Sequence, residues 1–177
     1  MSNNIEQSGL SHLLLVVFCV CLLFGCQSDE LNQGSAIEEI NTNDIPNKIM
    51  PLGASRVQGL SPWFESYRYQ LWKDLIDGGW DFDYIGTETE TGSYPNYEGL
   101  SFDPDHQGKM TWTSEQIFED LESTLHETGY PDIVLFSSPG GNDILDGLPY
   151  ENVIENVHGI IDLFQDRNPD IIILIDQ

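Results

Sequence analysis

Two continuous apolar runs constrain the fold of this chain more than any other feature. They are Ile133–Phe136 and Ile171–Ile175, and neither shows the polar alternation of a half-exposed strand. Strands that are apolar on both faces are typical of parallel sheets with helices packed on each side. Ile49–Leu52 is a shorter run of the same kind, and Phe82, Tyr84 and Ile85 before Gly86 predict a further strand. The sequence therefore predicts an α/β protein whose sheet is covered on both sides.

Amphipathic segments separate these strands. Apolar residues spaced by three or four predict three helices, over 64–75, 117–125 and 153–164. Residues 87–111, rich in Gly, Pro, Tyr and acids, are predicted to form a loop long enough to suggest a function. The order of elements predicts a flavodoxin-like three-layer α/β/α sandwich with a parallel sheet. In such folds, ligands bind at the carboxyl ends of the strands.

The first 46 residues are typical of an export signal followed by a tether. Leu13–Phe24 is an apolar run of 12 residues, too short to span a bilayer comfortably and typical of a signal-peptide core. Residues 23–26, Leu-Phe-Gly-Cys, resemble the lipobox of bacterial lipoproteins, which makes Cys26 the expected lipidation site. Residues 1–25 are then the signal peptide and residues 26–46 an acidic polar tether. We expect an exported protein held by lipid at the bacterial cell envelope, on its periplasmic or surface face; an ordinary signal peptide or an anchor helix is the alternative.

Charge and cysteine content exclude several classes of function. The chain has 30 Asp or Glu against 6 Lys or Arg and a net charge of −24. Such a surface repels nucleic-acid phosphates and anionic lipid headgroups, so neither is an expected partner. All three cysteines lie within the first 26 residues, so no disulfide or Cys-based zinc site is expected after them. Asp103–Gly108 fits the start of a calcium-binding loop, but the closing Glu is missing, and no metal is expected.

Four ordered segments resemble the SGNH hydrolases, the GDSL-type esterases: IMPLGASRVQG, YRYQLWKDLIDGGWDFDYIG, FDPDHQGKMTWTSEQI and PDIVLFSSPGGNDILDG. The similarity extends from about Lys48 to Gln177, and residues 47–177 are the predicted SGNH-like domain. The resemblance implies that Ser55 is the nucleophile and that the Asn142 side chain donates to the oxyanion. It places Thr111 where the family has a glycine whose backbone N–H is the second donor, with Gly108 as the alternative. It implies no cofactor.

These residue types suit ester hydrolysis. A serine hydroxyl becomes a good nucleophile only when a base takes its proton, and the oxyanion it creates needs fixed donors. The family's base comes from a D-x-x-H motif near the C-terminus, which this sequence does not contain, and we expect a C-terminally incomplete domain. Asp103–His106 is the single D-x-x-H string here and a candidate displaced base. His126 and His158 are expected to lie on helix surfaces.

The sequence thus predicts an exported serine esterase that acts through an acyl-enzyme on a small-molecule or carbohydrate ester, with acetyl groups on carbohydrate as the expected target. It is expected to be a monomer. The alternative is a catalytically impaired or truncated surface lipoprotein of the same fold that binds glycan without hydrolysis. A third possibility is a truncated product that folds poorly because its last strand forms an exposed apolar edge. Four aromatic residues could stack on sugars or simply pack: Trp63, Tyr94, Tyr97 and Trp112.

Overall fold

A computed structural model describes residues 47–89 and 92–176. The predicted signal peptide, lipobox and tether lie outside the described residues. The strands are β1 (Lys48–Gly53), β2 (Asp83–Tyr84), β3 (Glu88–Thr89), β4 (Asp105–Gly108), β5 (Ile133–Ser137) and β6 (Ile172–Asp176). The helices are α1 (Ser55–Gln58), α2 (Arg68–Asp77), α3 (Ser114–Thr128), α4 (Gly141–Leu145) and α5 (Tyr150–Arg167). None of the helices in the described residues combines the length and the hydropathy that a membrane span needs.

The strand β1 lies in the middle of a mostly parallel sheet. On one side it pairs in parallel with β5, which pairs in parallel with β6. On its other side lie two short parallel strands in tandem, β2 against its start and β4 against its end. The strand β3 pairs antiparallel with β4 at the edge. The predicted parallel sheet is therefore confirmed, with one antiparallel pair added.

Alternate residues of the central strands face two separate helix layers. Met50 of β1 and Val134 of β5 join a core formed with α3 and α5, whereas Ile49 packs with Trp72 of α2 on the opposite face. All of these side chains except that of Trp72, at 4%, are at most 3% exposed. Burial of this apolar area on both faces is the main stabilising term of the domain. The predicted three-layer sandwich is confirmed.

The segment predicted as one long loop, residues 87–111, contains the strands β3 and β4. That prediction was wrong because β4 carries buried polar residues, His106 and Gln107, in place of an apolar run. Pairing with β1 makes this segment a strand, and the sequence of β4 itself does not indicate it. The helices α1 and α4, of four and five residues, were also missed because they are too short to show a helical period.

The strand β6 lies at the edge of the sheet, and among the described residues its only strand partner is β5. Ile172, Leu174 and Ile175 are 53%, 56% and 45% exposed. The prediction that this strand is covered on both faces is therefore wrong for the described residues. The exposed apolar edge considered in the sequence analysis is present.

Candidate active site

Ser55 lies at a tight strand-to-helix turn. The strand β1 ends at Gly53, Ala54 follows, and Ser55 is the first residue of α1. Val57, which is fully buried, anchors this short helix, and the carbonyl of Ser55 accepts a 2.8 Å hydrogen bond from the N–H of Gly59. Ser55 is half-buried, and its hydroxyl makes no hydrogen bond with any described residue. The turn thus presents an unengaged hydroxyl at the carboxyl end of the central strand.

Gly108, the last residue of β4, allows α1 to pack directly on the next strand. A Cβ at this position would lie 2.6 Å from Cβ of Val57 and 2.7 Å from the backbone nitrogen of Gln58. Real Cβ atoms do not approach so closely, so the glycine is required by packing. Because Gly108 has no side chain, α1 can lie close to the end of β4 and to the segment that follows it.

The segment after β4 leaves one backbone N–H unengaged. Of the five N–H groups in residues 108–112, that of Thr111 has no hydrogen-bond partner among the described residues. The other four donate as follows: Gly108 to His106 Nδ1, Lys109 to Gly53 O, Met110 to Gln58 Oε1 and Trp112 to Lys109 O. Gly108 was the alternative oxyanion donor, but its N–H already donates to His106 Nδ1. The Thr111 N–H is the donor that this segment can offer.

Thr111 also adopts a backbone conformation that favours glycine. Its φ is 66°, in the left-handed region that β-branched residues rarely enter. The SGNH pattern places a glycine here, and the observed φ explains that preference. Threonine supplies the same N–H at a cost of order 1–3 kcal/mol in backbone strain.

Asn142 occupies the second position of α4, the short helix that follows β5. Gly140, with φ 81°, makes the left-handed turn that starts this helix. The side chain of Asn142 donates a 2.7 Å hydrogen bond through Nδ2 to the carbonyl oxygen of Trp112. An amide nitrogen carries two hydrogens, so the second N–H remains for another acceptor. Trp112 directly follows Thr111, so this bond brings the two predicted oxyanion donors close together.

The strand register brings all three predicted site residues to one edge. Gly53 pairs with Gly108 on one side and with Ser137 on the other. Ser55 lies two positions after Gly53, Thr111 three positions after Gly108, and Asn142 five positions after Ser137. Since these strands are parallel, their carboxyl ends meet at the same edge of the sheet, where ligands bind in open α/β folds.

Arg56, next to Ser55, ties α1 to two further strand ends. Its guanidinium donates to Ser138 Oγ, just after β5, and to Asp176 Oδ2 at the end of β6, at 3.4 Å. The backbone N–H of Ser138 in turn donates to Asp176 Oδ1 at 2.9 Å. Sequence reasoning missed this cluster because its members lie far apart in the chain and no motif joins them.

The chain is similar in fold to several solved structures of esterases. A carbohydrate esterase family 3 protein from Talaromyces cellulolyticus aligns with a TM-score of 0.62 at 25% identity, over 73% of this chain and 61% of that one. A family 3 carbohydrate esterase from Clostridium thermocellum aligns with a TM-score of 0.58 at 27% identity, over 73% and 60%. AlinE4, an SGNH-hydrolase family esterase, aligns with a TM-score of 0.54 at 23% identity, over 73% and 57%.

The chain has the SGNH-hydrolase fold. It spans about 60% of the length of the solved structures that it matches. No family model and no curated protein sequence matches it. The likeness therefore rests on the three-dimensional arrangement of its elements.

None of the three histidines among the described residues is placed to act as a base for Ser55. His106 is 1% exposed, its Nδ1 accepts from Gly108 N–H, and burial, aided by the cation of Arg68, lowers the pKa of His106 to about 3. His126 lines a surface depression beside Lys48 at the start of β1, the edge opposite Ser55. His158 is exposed on α5. The structure thus gives no support to Asp103–His106 as a displaced base.

Asp103, two positions before β4, stabilises the surrounding loop through hydrogen bonds. Asp103 accepts hydrogen bonds from the backbone N–H groups of Tyr84, at 2.8 Å, and Asp105, at 3.2 Å. Burial raises the pKa of Asp103 to about 6. In the described part of the chain, no group of three or more His, Cys, Asp or Glu residues is arranged to hold a metal ion.

Three of the four aromatic side chains considered for sugar stacking make contacts within the fold. Tyr94 packs against two other rings, Tyr97 donates through its hydroxyl to Asp77, and Trp112 lies under the ammonium group of Lys109. Trp63 differs, since it is 79% exposed. Among these four residues, Trp63 is the one whose ring is accessible to a ligand.

Proposed function

We propose that this protein is a serine esterase of the SGNH type that hydrolyses carboxylic esters, with acetyl groups on carbohydrate as its substrate class. One observation carries the proposal. The unengaged N–H of Thr111 and the Asn142 amide, linked through Trp112, lie at the same sheet edge as the unengaged hydroxyl of Ser55. The similar solved structures named as carbohydrate esterases support the choice of substrate class.

In this reaction, Ser55 Oγ attacks the acyl carbon and its proton passes to a base. The carbonyl oxygen becomes an oxyanion, which accepts hydrogen bonds from the Thr111 N–H and from Asn142 Nδ2. Collapse breaks the ester C–O bond, the alcohol leaves with a proton, and an acyl-serine ester remains. Water then attacks this ester, which releases the acid and restores Ser55.

A second function is favoured by one observation, the exposure of Trp63. Trp63 presents an exposed ring on a short loop closed by hydrogen bonds between Leu60 and Phe64. An exposed aromatic ring can stack on the apolar face of a sugar ring. The alternative is therefore a glycan-binding SGNH-fold protein without hydrolytic activity.

Hydrolysis of a chromogenic acetate ester and of an acetylated oligosaccharide tests these functions. The full chain is compared with Ser55→Ala and with the control Ser123→Ala, an exposed serine on α3. An esterase loses its activity in Ser55→Ala alone. Equal rates in all three proteins contradict the esterase proposal. Calorimetric binding of the oligosaccharide that is retained in Ser55→Ala and lost in Trp63→Ala would then support the glycan-binding function.

We also propose that the protein is exported and lipid-anchored through Cys26, which lies outside the described residues. Support comes from the apolar run 13–24 and the Leu-Phe-Gly-Cys sequence at its end. Expressed in a bacterium, the wild-type protein should partition into the detergent phase, and Cys26→Ser should move to the aqueous phase. Cys19→Ser is the control and should behave as wild type. An unchanged partition of Cys26→Ser rejects the lipid anchor.

A further inference from the structure

Asp143, the residue after Asn142, is a buried carboxyl that the catalytic scheme above does not use. Its side chain is 2% exposed. Oδ2 accepts a 2.8 Å hydrogen bond from the backbone N–H of Ser114, and Oδ1 accepts a 2.6 Å bond from the Ser114 hydroxyl. A buried carboxyl is costly unless it is well hydrogen-bonded. The short, double contact with one residue meets this requirement.

Ser114 is the first residue of α3, and this helix already has its own cap. The Thr113 hydroxyl accepts from the Gln116 N–H, and the Gln116 side chain accepts from the Thr113 N–H. Asp143 comes from a different helix and satisfies a further N–H of the first turn, where negative groups are favoured. Asn156 of α5 donates to the same Ser114 hydroxyl at 3.0 Å. Three helices therefore meet at Ser114.

Three hydrogen bonds join residues 142 and 143 of α4 to residues 112 and 114. Asn142 binds Trp112, and Asp143 binds Ser114 through both carboxyl oxygens. The first pair carries one oxyanion donor, and Thr111, which carries the other, directly precedes Trp112. Because residues 111 and 142 belong to separate segments, their relative position depends on contacts of this kind.

We propose that Asp143 is a positioning residue of this site: by binding Ser114 it holds the Thr111 N–H and the Asn142 amide at the spacing that one oxyanion requires. The proposal rests on the proposed esterase function. Errors of about 1 Å in the placement of a catalytic group can cost about a hundredfold in rate. Asp143 itself does not touch the substrate.

A purely structural role makes a different prediction. If Asp143 only caps α3, its loss lowers the free energy of unfolding but leaves the turnover of the folded molecules unchanged. If it positions the donors, kcat falls while KM stays the same, because the lost interaction is stronger in the transition state.

The experiment compares four variants of the full chain: Asp143→Ala, Asp143→Asn, Ser114→Ala and Asp146→Asn. Asp146 is exposed at the end of the same helix and serves as the control. We expect Asp143→Ala to lower kcat on the acetate ester by about tenfold to a hundredfold, with KM changed less than about twofold. Asp143→Asn, which keeps an acceptor for the Ser114 N–H, should recover part of this loss. Ser114→Ala keeps the N–H contact and should be milder than Asp143→Ala, so it remains informative if Asp143→Ala does not fold.

Two-dimensional NMR supplies a readout that does not need activity. The Thr111 backbone amide and the Asn142 side-chain amide should shift in both Asp143 variants and in Ser114→Ala, and not in Asp146→Asn. Unchanged resonances at both groups, or unchanged kcat in folded Asp143→Ala or Ser114→Ala, overturn the positioning role. If wild type hydrolyses no faster than Ser55→Ala, the esterase function fails instead, and the NMR shifts alone then decide whether Asp143 positions the two donors.

Discussion

The side-chain amide of Asn142 and the carbonyl of Trp112 form a 2.7 Å hydrogen bond across 30 positions of sequence. This bond joins the helix after β5 to the segment after β4. It uses one hydrogen of the amide and leaves the other for a substrate oxygen. The same contact thus orients one predicted oxyanion donor and places it beside the other.

Replacement of Asn142 should impair catalysis more than binding. We expect Asn142→Ala to lower kcat on a chromogenic acetate ester by about a hundredfold to a thousandfold, because an oxyanion donor is lost. Asn142→Asp keeps the shape but has no amide donor and should be equally impaired. Asn152→Ala, an exposed residue on α5, is the control. Wild-type kcat in Asn142→Ala would exclude the oxyanion role.

Thr111→Gly should stabilise the protein. Thr111 has a φ of 66°, and the strain of order 1–3 kcal/mol in a non-glycine residue there exceeds the entropy cost of glycine, about 0.5–1 kcal/mol. We expect the free energy of unfolding in urea to rise by about 1 kcal/mol, with kcat retained because the N–H remains. Thr89→Gly, in the extended strand β3, should instead destabilise. A less stable Thr111→Gly would show that the Thr111 side chain compensates for the strain.

The half-buried carboxyl of Asp103 should make stability fall as the pH rises. Its pKa is raised to about 6 in the folded protein, above the ordinary value of about 3.9 in the unfolded chain. Between these values the folded state binds more protons, so stability is lost as the pH rises from about 4 through 6, by up to about 1.4 kcal/mol per pH unit. Asp103→Asn should remove this contribution from urea unfolding measured between pH 4 and pH 8. The exposed control Asp162→Asn should keep the wild-type profile, and an unchanged profile in Asp103→Asn would contradict the assignment.

Burial of His106 should make stability fall as the pH decreases, the opposite of the effect expected for Asp103. Its pKa is lowered to about 3 in the folded protein, below the ordinary value of about 6.5 in the unfolded chain. Between these values the unfolded state binds more protons, so stability is lost as the pH falls from about 6.5 towards 3. His106→Gln, which keeps an acceptor for the Gly108 N–H, should flatten the acid side of the profile. His158→Gln is the exposed control, and equal acid sensitivity in both variants would rule out His106 as the cause.

Apolar patterning predicted the elements that form the hydrophobic core. The runs 133–136 and 171–175 became the parallel strands β5 and β6, and the periodic segments 117–125 and 153–164 lie in α3 and α5. The segment 64–75 is helical only from Arg68 onwards, so Phe64 and Tyr67 lie before α2. The strand β4 gave no such signal, since the side chains of His106 and Gln107 are polar and buried. The side chain of Gln107 is hydrogen-bonded by Thr87 and Asp120, which come from other parts of the chain.

The α/β class, the order of the main elements and the residue types of the candidate site can be predicted from the sequence, because apolar periodicity and turn residues are local properties. The unengaged N–H of Thr111, the burial of His106 and the bonds from Asp143 to the start of α3 arise in the folded chain. Each of these depends on hydrogen bonds or burial between segments distant in sequence. Such contacts exist only after the sheet has brought the carboxyl ends of β1, β4 and β5 to one edge.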